Sequence, residues 1–119
     1  MVAGKPHAFI QNLDNALVAE CLDAKLNEEM TIQAWGDELK SALDKSGHCD
    51  RFVINFQQVQ FMSSSALRTL ISLNTKAKGK KVALFLCEIN PNIMEVFKIT
   101  KLDSIFKIRK TQLEALVSK

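Results

Sequence analysis

Two stretches of this chain, Phe52-Val53-Ile54-Asn55-Phe56 and the run over residues 81–87, are apolar on nearly every residue rather than on every second one. A strand with one wet face alternates, whereas a short, nearly continuous apolar run is the pattern of a strand covered on both faces. Such strands need helices packed against the sheet, and the residues after each run supply them. Leu67, Leu70, Ile71 and Ala77 recur at helical spacing and must stop by Gly79. Ile93, Val96 and Phe97 form an apolar stripe behind Asn90-Pro91, an N-cap followed by a proline at the first helical position. Strands alternating with helices through short connections favour parallel pairing by right-handed crossovers.

The rest of the chain extends the same scheme. Residues 7–11 and 16–22 read as the strands of an opening hairpin around the turn-prone Asn12-Leu13-Asp14-Asn15. Within residues 27–45, Ile32, Trp35, Leu39, Ala42 and Leu43 mark a first helix, with Gly47 where a left-handed cap belongs. A short apolar stretch follows at residues 59–62, a last strand is expected at 105–108, and Thr111-Gln112-Leu113-Glu114 is a capping box opening a terminal helix. The predicted fold is a small single-domain α/β structure. It has a mixed, mostly parallel sheet of about five strands packed by about four helices, with the hairpin as an antiparallel edge. Phe52, Val53, Ile54, Val82, Leu84 and Leu86 are expected at the buried centre.

A chain of 119 residues has room for one core, so a single domain is expected over 1–119, with its core at about 7–117. At 47% hydrophobic and 24% charged residues it is too apolar for a disordered segment. No apolar run approaches the roughly 20 residues that cross a bilayer. Lys5 and His7 also interrupt the N-terminus before any signal-peptide core, so a cytoplasmic protein without membrane insertion is expected. Cys21, Cys49 and Cys87 are odd in number and lack C-x-x-C spacing, which predicts reduced thiols. The net charge is +3, but only three of the sixteen basic residues are arginine and there is no tyrosine to stack on bases. That argues against nucleic acid as a partner.

The residues that stand out chemically are Ser63, Ser64 and Ser65, between a buried strand and an amphipathic helix. A serine there is an ordinary N-cap for the orphan N–H groups of the helix. It is also a hydroxyl at the positive end of a helix dipole, a place suited to carrying or binding phosphate, and spacing alone does not choose between the two. A nucleophile would need a nearby base, and neither His7 nor His48 is forced towards the serines; no catalytic residue and no enzymatic activity are expected. His48-Cys49-Asp50 lacks the spacing and the remaining ligands of a metal site, so no metal is expected. Lys76, Lys78, Lys80 and Lys81 flank Gly79 and read as a solvated helix end. Met30, Met62 and Met94, with the seven phenylalanines, fall mostly at core-like positions. No glycine-rich phosphate loop is present, so no cofactor is expected.

Four segments together carry a family likeness: Phe52-Val53-Ile54-Asn55-Phe56, then Val59-Gln60-Phe61-Met62-Ser63-Ser64-Ser65-Ala66-Leu67, then Asn90-Pro91, then Leu102-Asp103-Ser104-Ile105-Phe106. In order and spacing they resemble the STAS family, which includes the bacterial anti-sigma factor antagonists and domains of sulfate transporters. The resemblance implies a regulatory module that binds an anti-sigma factor with serine kinase activity, is switched off by phosphorylation of a serine, and is restored by a serine phosphatase. Aligned on the hydrophobic frame, the phosphorylated serine falls on Ser64. Ser63 then stands where the family has a loop Asp, Ala66 where it has Gly, and Asn55 where its strand ends in Asp. Leu22-Asp23 matches a further family pair, with Glu20 in place of the preceding Gly. The partner surface is then expected at Ser63, Ser64 and Ser65, with Asp23 at the edge, and with Arg68 on the same exposed face because it lies one turn beyond Ser64 on a helical count. The departures at Ser63 and Asn55 keep a second reading open, a STAS scaffold or transporter-associated docking module without a phosphoryl switch.

Overall fold

The structure, a computed structural model, describes residues 6–13, 15–47 and 49–118. The chain opens with β1 (Ala8–Leu13) and β2 (Ala16–Cys21), followed by a two-residue β3 (Lys25–Leu26) and helix α1 (Glu29–Lys45). Next come β4 (Arg51–Asn55), a two-residue β5 (Phe61–Met62), α2 (Ser64–Gly79) and β6 (Ala83–Cys87). The last elements are α3 (Pro91–Ile99), a 3-10 turn over Leu102–Ser104, β7 (Lys107–Arg109) and α4 (Gln112–Val117).

Five strands form one sheet in the order β1-β2-β4-β6-β7. Only the β1–β2 pair is antiparallel; β2–β4, β4–β6 and β6–β7 are parallel. The doubly covered sheet expected from the two apolar runs is therefore present. Side chains alternate across a strand, so β4 sends Phe52 and Ile54 to the core under α1, α2 and α3, and Val53 to the opposite face. There Val53 meets Val18, Phe85, Cys87 and Ala115 of α4. All six residues expected at the centre are buried, between 0% and 7% exposed. Trp35, Leu39 and Leu43 of α1 close the main core, each fully buried phenylalanine or leucine adding about 1.5–3 kcal/mol.

Several boundaries differ from those expected, each for a local reason. β1 runs on through Leu13, which pairs with Ala16, so the hairpin closes within a tighter connection than the four residues expected, of which Asp14 lies outside the described residues. β6 begins at Ala83 rather than at 81, since Lys81 takes a left-handed φ of 62° to turn out of α2. The last strand is Lys107–Arg109 rather than 105–108, because Leu102–Ser104 coils into a 3-10 turn that delivers Phe106 to the core. Of residues 59–62 only Phe61–Met62 is strand, and its partner β3 is too short to show a pattern in the sequence. Met30 is 86% exposed, against expectation, because it falls out of phase with the buried stripe of Ile32, Trp35, Leu39 and Leu43. Phe9 and Phe61 are likewise about half exposed, at 52% and 50%. Gly47 has the left-handed φ of 68° expected just past α1.

The basic turn after α2 is partly paired. Lys76 Nζ lies 3.0 Å and Lys80 Nζ 3.7 Å from Asp44 Oδ1 on α1, and the hydrogen bond from Lys76 is the main cause holding the Asp44 carboxyl below its ordinary value.

Candidate functional site

The serine triplet lies where β4, having crossed the sheet centre, turns over the carboxyl edge into α2. Two main-chain clips hold this loop. Ala24 O accepts hydrogen bonds from Gln60 N and Phe61 N, at 2.7 and 3.2 Å, and Leu26 O accepts one from Ser63 N at 2.9 Å. The β3–β5 ladder places Lys25 beside Phe61 and Leu26 beside Met62. The segment after Asp23 is thereby stitched to the segment before Ser63, which brings together two pieces of chain far apart in sequence.

Each serine has a different environment. Ser63 is the N-cap of α2: its backbone is extended, and its Oγ accepts from Ala66 N at 3.4 Å. Ser65 faces a polar cleft of about 250 Å3 between α1 and α2, and its Oγ accepts from Arg68 Nη2 at 3.2 Å. Ser64, the first residue of the helix, is exposed, and among the described residues its hydroxyl has no hydrogen-bond partner. The first turn of α2 carries no acidic residue to offset the positive end of its dipole.

Arg68 is exposed one turn further along α2, while Leu67 and Leu70 point into the core at 7% and 0% exposure. Asp23 is half-buried, and its Oδ2 lies 2.7 Å from His7 Nδ1. The structure thus gathers Ser63, Ser64, Ser65 and Arg68 at one helix end and ties the segment following Asp23 to the same loop. The Asp23 carboxylate itself is engaged by His7.

Asn55, at the end of β4, is 6% exposed and hydrogen-bonded through both polar side-chain atoms. Its Oδ1 accepts from Gln57 N at 2.8 Å and its Nδ2 donates to Gln112 Oε1 at 2.8 Å. Glu88 Oε2 accepts from Gln112 N at 3.1 Å, so the first turn of α4 is tied to the carboxyl edge of the sheet. The Gln112 link carries no signal in the sequence, because residues 57 positions apart meet only through the tertiary fold. Also unforeseen is an apolar groove of about 250 Å3 beside the serines, between β5, the start of α2 and α3. Phe61, Leu67, Ile93 and Val96 line it, and Phe61 and Val96 remain exposed.

His48 lies outside the described residues. Among the described residues, no group of three or more His, Cys, Asp or Glu side chains could hold a metal ion. Cys21 and Cys87 are buried free thiols, each pushed by burial up to about 12, and Trp35 Nε1 donates to Cys21 Sγ at 3.3 Å. Among the described residues no helix is long and apolar enough to cross a membrane.

The profile of the STAS domain family matches residues 11–115. The chain belongs to the STAS domain family. BtrV of Bordetella bronchiseptica, named as an anti-sigma factor antagonist, is 28% identical over 103 residues, which cover 87% of this chain and 85% of that protein. The STAS fold here is similar to that of an anti-sigma factor antagonist from Mycobacterium paratuberculosis, with a TM-score of 0.81 and 21% identity over 93% of this chain and 91% of that one. It is also similar to the Bacillus cell fate determinant SpoIIAA in its phosphorylated form, with a TM-score of 0.67 and 17% identity over 92% of this chain and 96% of that one. The mixed sheet with its antiparallel edge hairpin is accordingly the STAS arrangement.

Proposed function

We propose that this STAS domain is an anti-sigma factor antagonist that docks on an anti-sigma factor with serine kinase activity and is switched by phosphorylation of Ser64. The observation that carries the reading is the division of labour in the triplet. Ser63 caps the helix, Ser65 is engaged by Arg68, and Ser64 alone of the three presents an exposed hydroxyl that nothing among the described residues engages, at the helix start. The kinase would transfer the γ-phosphoryl group of ATP to Ser64 Oγ, with loss of the hydroxyl proton and release of ADP. A serine phosphatase would hydrolyse the ester. The domain is substrate and ligand in this scheme, not catalyst, and its setting is the cytoplasm, where ATP and sigma factors meet.

The docking surface takes in Ser63, Ser64, Ser65 and Arg68, with the groove of Phe61 and Val96 on one side and Asp23 at the margin. A phosphate on Ser64 adds about −1.5 to −2 charge at the middle of that patch. The helix N-terminus accommodates the charge, so the fold survives while a partner surface matched to the neutral hydroxyl is lost.

One observation favours a second reading, a docking module without a phosphoryl switch. Both positions where the family carries acids near the serine are neutral here, and Asn55 is committed to Gln57 and Gln112 rather than to the loop hydroxyl. The deciding experiment incubates the domain and ATP with a purified anti-sigma factor of the serine-kinase type from the same organism and maps phosphoserine by mass spectrometry. The same partner is then titrated with Ser64→Ala, Ser64→Asp and an Arg68→Glu variant. The switch requires modification at Ser64, tight binding by Ser64→Ala, weakened binding by Ser64→Asp and by Arg68→Glu, and unchanged unfolding curves. Modification at Ser63 or Ser65, or undiminished binding by Ser64→Asp, removes the switch and leaves the constitutive module.

A further inference from the structure

At the other end of the sheet from β7, strand β1 pairs only with β2, and among the described residues nothing pairs with its outer edge. The direction of its peptide groups follows from two hydrogen bonds. His7 O accepts from Leu22 N on the β2 side, whereas Ala8 N points off the sheet and donates to Glu38 Oε1 of α1 at 3.0 Å. By alternation, Ile10 and Asn12 also aim their N–H and C=O groups outward. The strand sequence Ala8–Leu13 holds no charge, no proline and no bulge, the devices that normally protect an edge. Its face away from α1 exposes Phe9 at 52% and Leu13 at 41%.

We propose that this edge is a homodimer interface, in which β1 of one copy pairs antiparallel with β1 of a second copy about a two-fold axis through Gln11. The register is set by the strand itself. Outward-pointing residues must face each other, and Glu38 already occupies the edge at Ala8. Pairing Ile10 with the second copy's Asn12, twice by symmetry, meets both conditions and joins the two sheets into one. In that register Phe9 of each copy lies opposite Leu13 of the other, so the two exposed apolar side chains of the strand cover one another. Gln11 meets its own symmetry mate.

The helix side of the edge has matching charge. A groove of about 480 Å3 runs between β1 and α1, lined by Ile10, Leu17 and Ala42, with Asp37 and Glu38 near its Ala8 end and Lys45 near its Asn12 end. A two-fold axis at Gln11 sets the acidic end of one groove against Lys45 of the other, reciprocally. A self-complementary patch of this kind is what an isologous contact requires. It lies on the sheet edge formed by β1, so the serine loop stays open in the dimer, and the proposal stands whether or not Ser64 is a switch.

The test combines sedimentation with site-specific cross-linking of the full chain. The wild type should shift from monomer to dimer with loading concentration. Leu13→Lys, which spoils both symmetric Phe9–Leu13 pairs at a surface position, should raise the dissociation constant about tenfold, equivalent to about 1.4 kcal/mol. In a Cys49→Ser background, mild oxidation of Gln11→Cys should give a covalent dimer, because that residue faces its own mate at short Cα distance in a non-hydrogen-bonded pair. Phe9→Cys should give none, since it faces Leu13. A chain that stays monomeric at every loading leaves the edge to some other strand and overturns the proposal. A dimer indifferent to Leu13→Lys, or one cross-linked equally well by Phe9→Cys, also overturns it.

Discussion

Asn55 illustrates how much a single side chain decides at the carboxyl edge of the sheet. Buried at the end of β4, it holds Gln57 N with one atom and Gln112 with the other. The backbone bond from Gln57 identifies Oδ1 as the acceptor, so the amide orientation follows from the network rather than from choice. A neutral residue suits this place, since a buried charge without a cationic partner would be costly. The cysteines are a second case. Cys21 and Cys87 are held up at about 12 mainly by burial, against an ordinary value of 9.0, while Cys49 is only half-buried. At pH 8 the native protein should release colour from one thiol in a disulfide-exchange titration, and from all three once unfolded. Because both folded-state values are raised, the stability tied to these thiols is intact below the ordinary value. It should decline as pH rises above 9 towards the folded value, visible as a falling urea midpoint.

Among the elements, the pairing of α1 with α2 depends on Gly36. A Cβ built there would sit 2.8 Å from Thr69 Cγ2, so the two helices approach closely only because the side chain is absent. Gly36→Ala gains helix propensity but overpacks the contact, for a net loss of about 1–3 kcal/mol in urea unfolding. Thr69→Ser removes the opposing methyl, and the double variant should recover most of that loss. Full additivity of the two single changes would show that the contact is not the cause. The same helix pair forms the walls of the polar cleft that receives Ser65 and Arg68, so its spacing bears directly on the candidate site.

For the molecule as a whole, the second face of the sheet is closed by one short helix. Ala115 of α4 is fully buried against Val18, Val53 and Phe85, while Leu113 and Val117 remain exposed at 69% and 68%. Arg51 fastens this cover: its Nη1 donates to Ala115 O and Leu116 O, each at 2.9 Å, and its guanidinium lies 5.2 Å from the centroid of the Phe85 ring. Arg109 lies over the same ring at 5.3 Å, and its Nε donates to Ser118 Oγ at 2.6 Å. Arg51→Met keeps the aliphatic packing and loses these bonds, so it should cost about 1–3 kcal/mol. Hydrogen exchange should show the loss concentrated in α4 and the amides beneath it; uniform loss across the sheet would show that α4 is not a separable cover.

The sequence determined the parallel centre, because the nearly continuous apolar runs at residues 52–56 and 82–87 leave no wet face. It determined two of the helix starts too, where Asn90 and Thr111 each accept from the backbone three residues on. These are local matters, fixed by hydrophobic pattern and by the chemistry of one turn. Tertiary structure alone decided the β3–β5 ladder, because two residues carry no periodicity to read. It also decided where in the serine triplet α2 begins, because Leu26 O anchors Ser63 N from a distant segment. With that start set, Ser63 caps Ala66, Ser65 meets Arg68 and Ser64 lies at the surface. The bond from Asn55 to Gln112 and the bare β1 edge belong to the same class, since contact and exposure are properties of chain segments brought together, or left apart, by the fold.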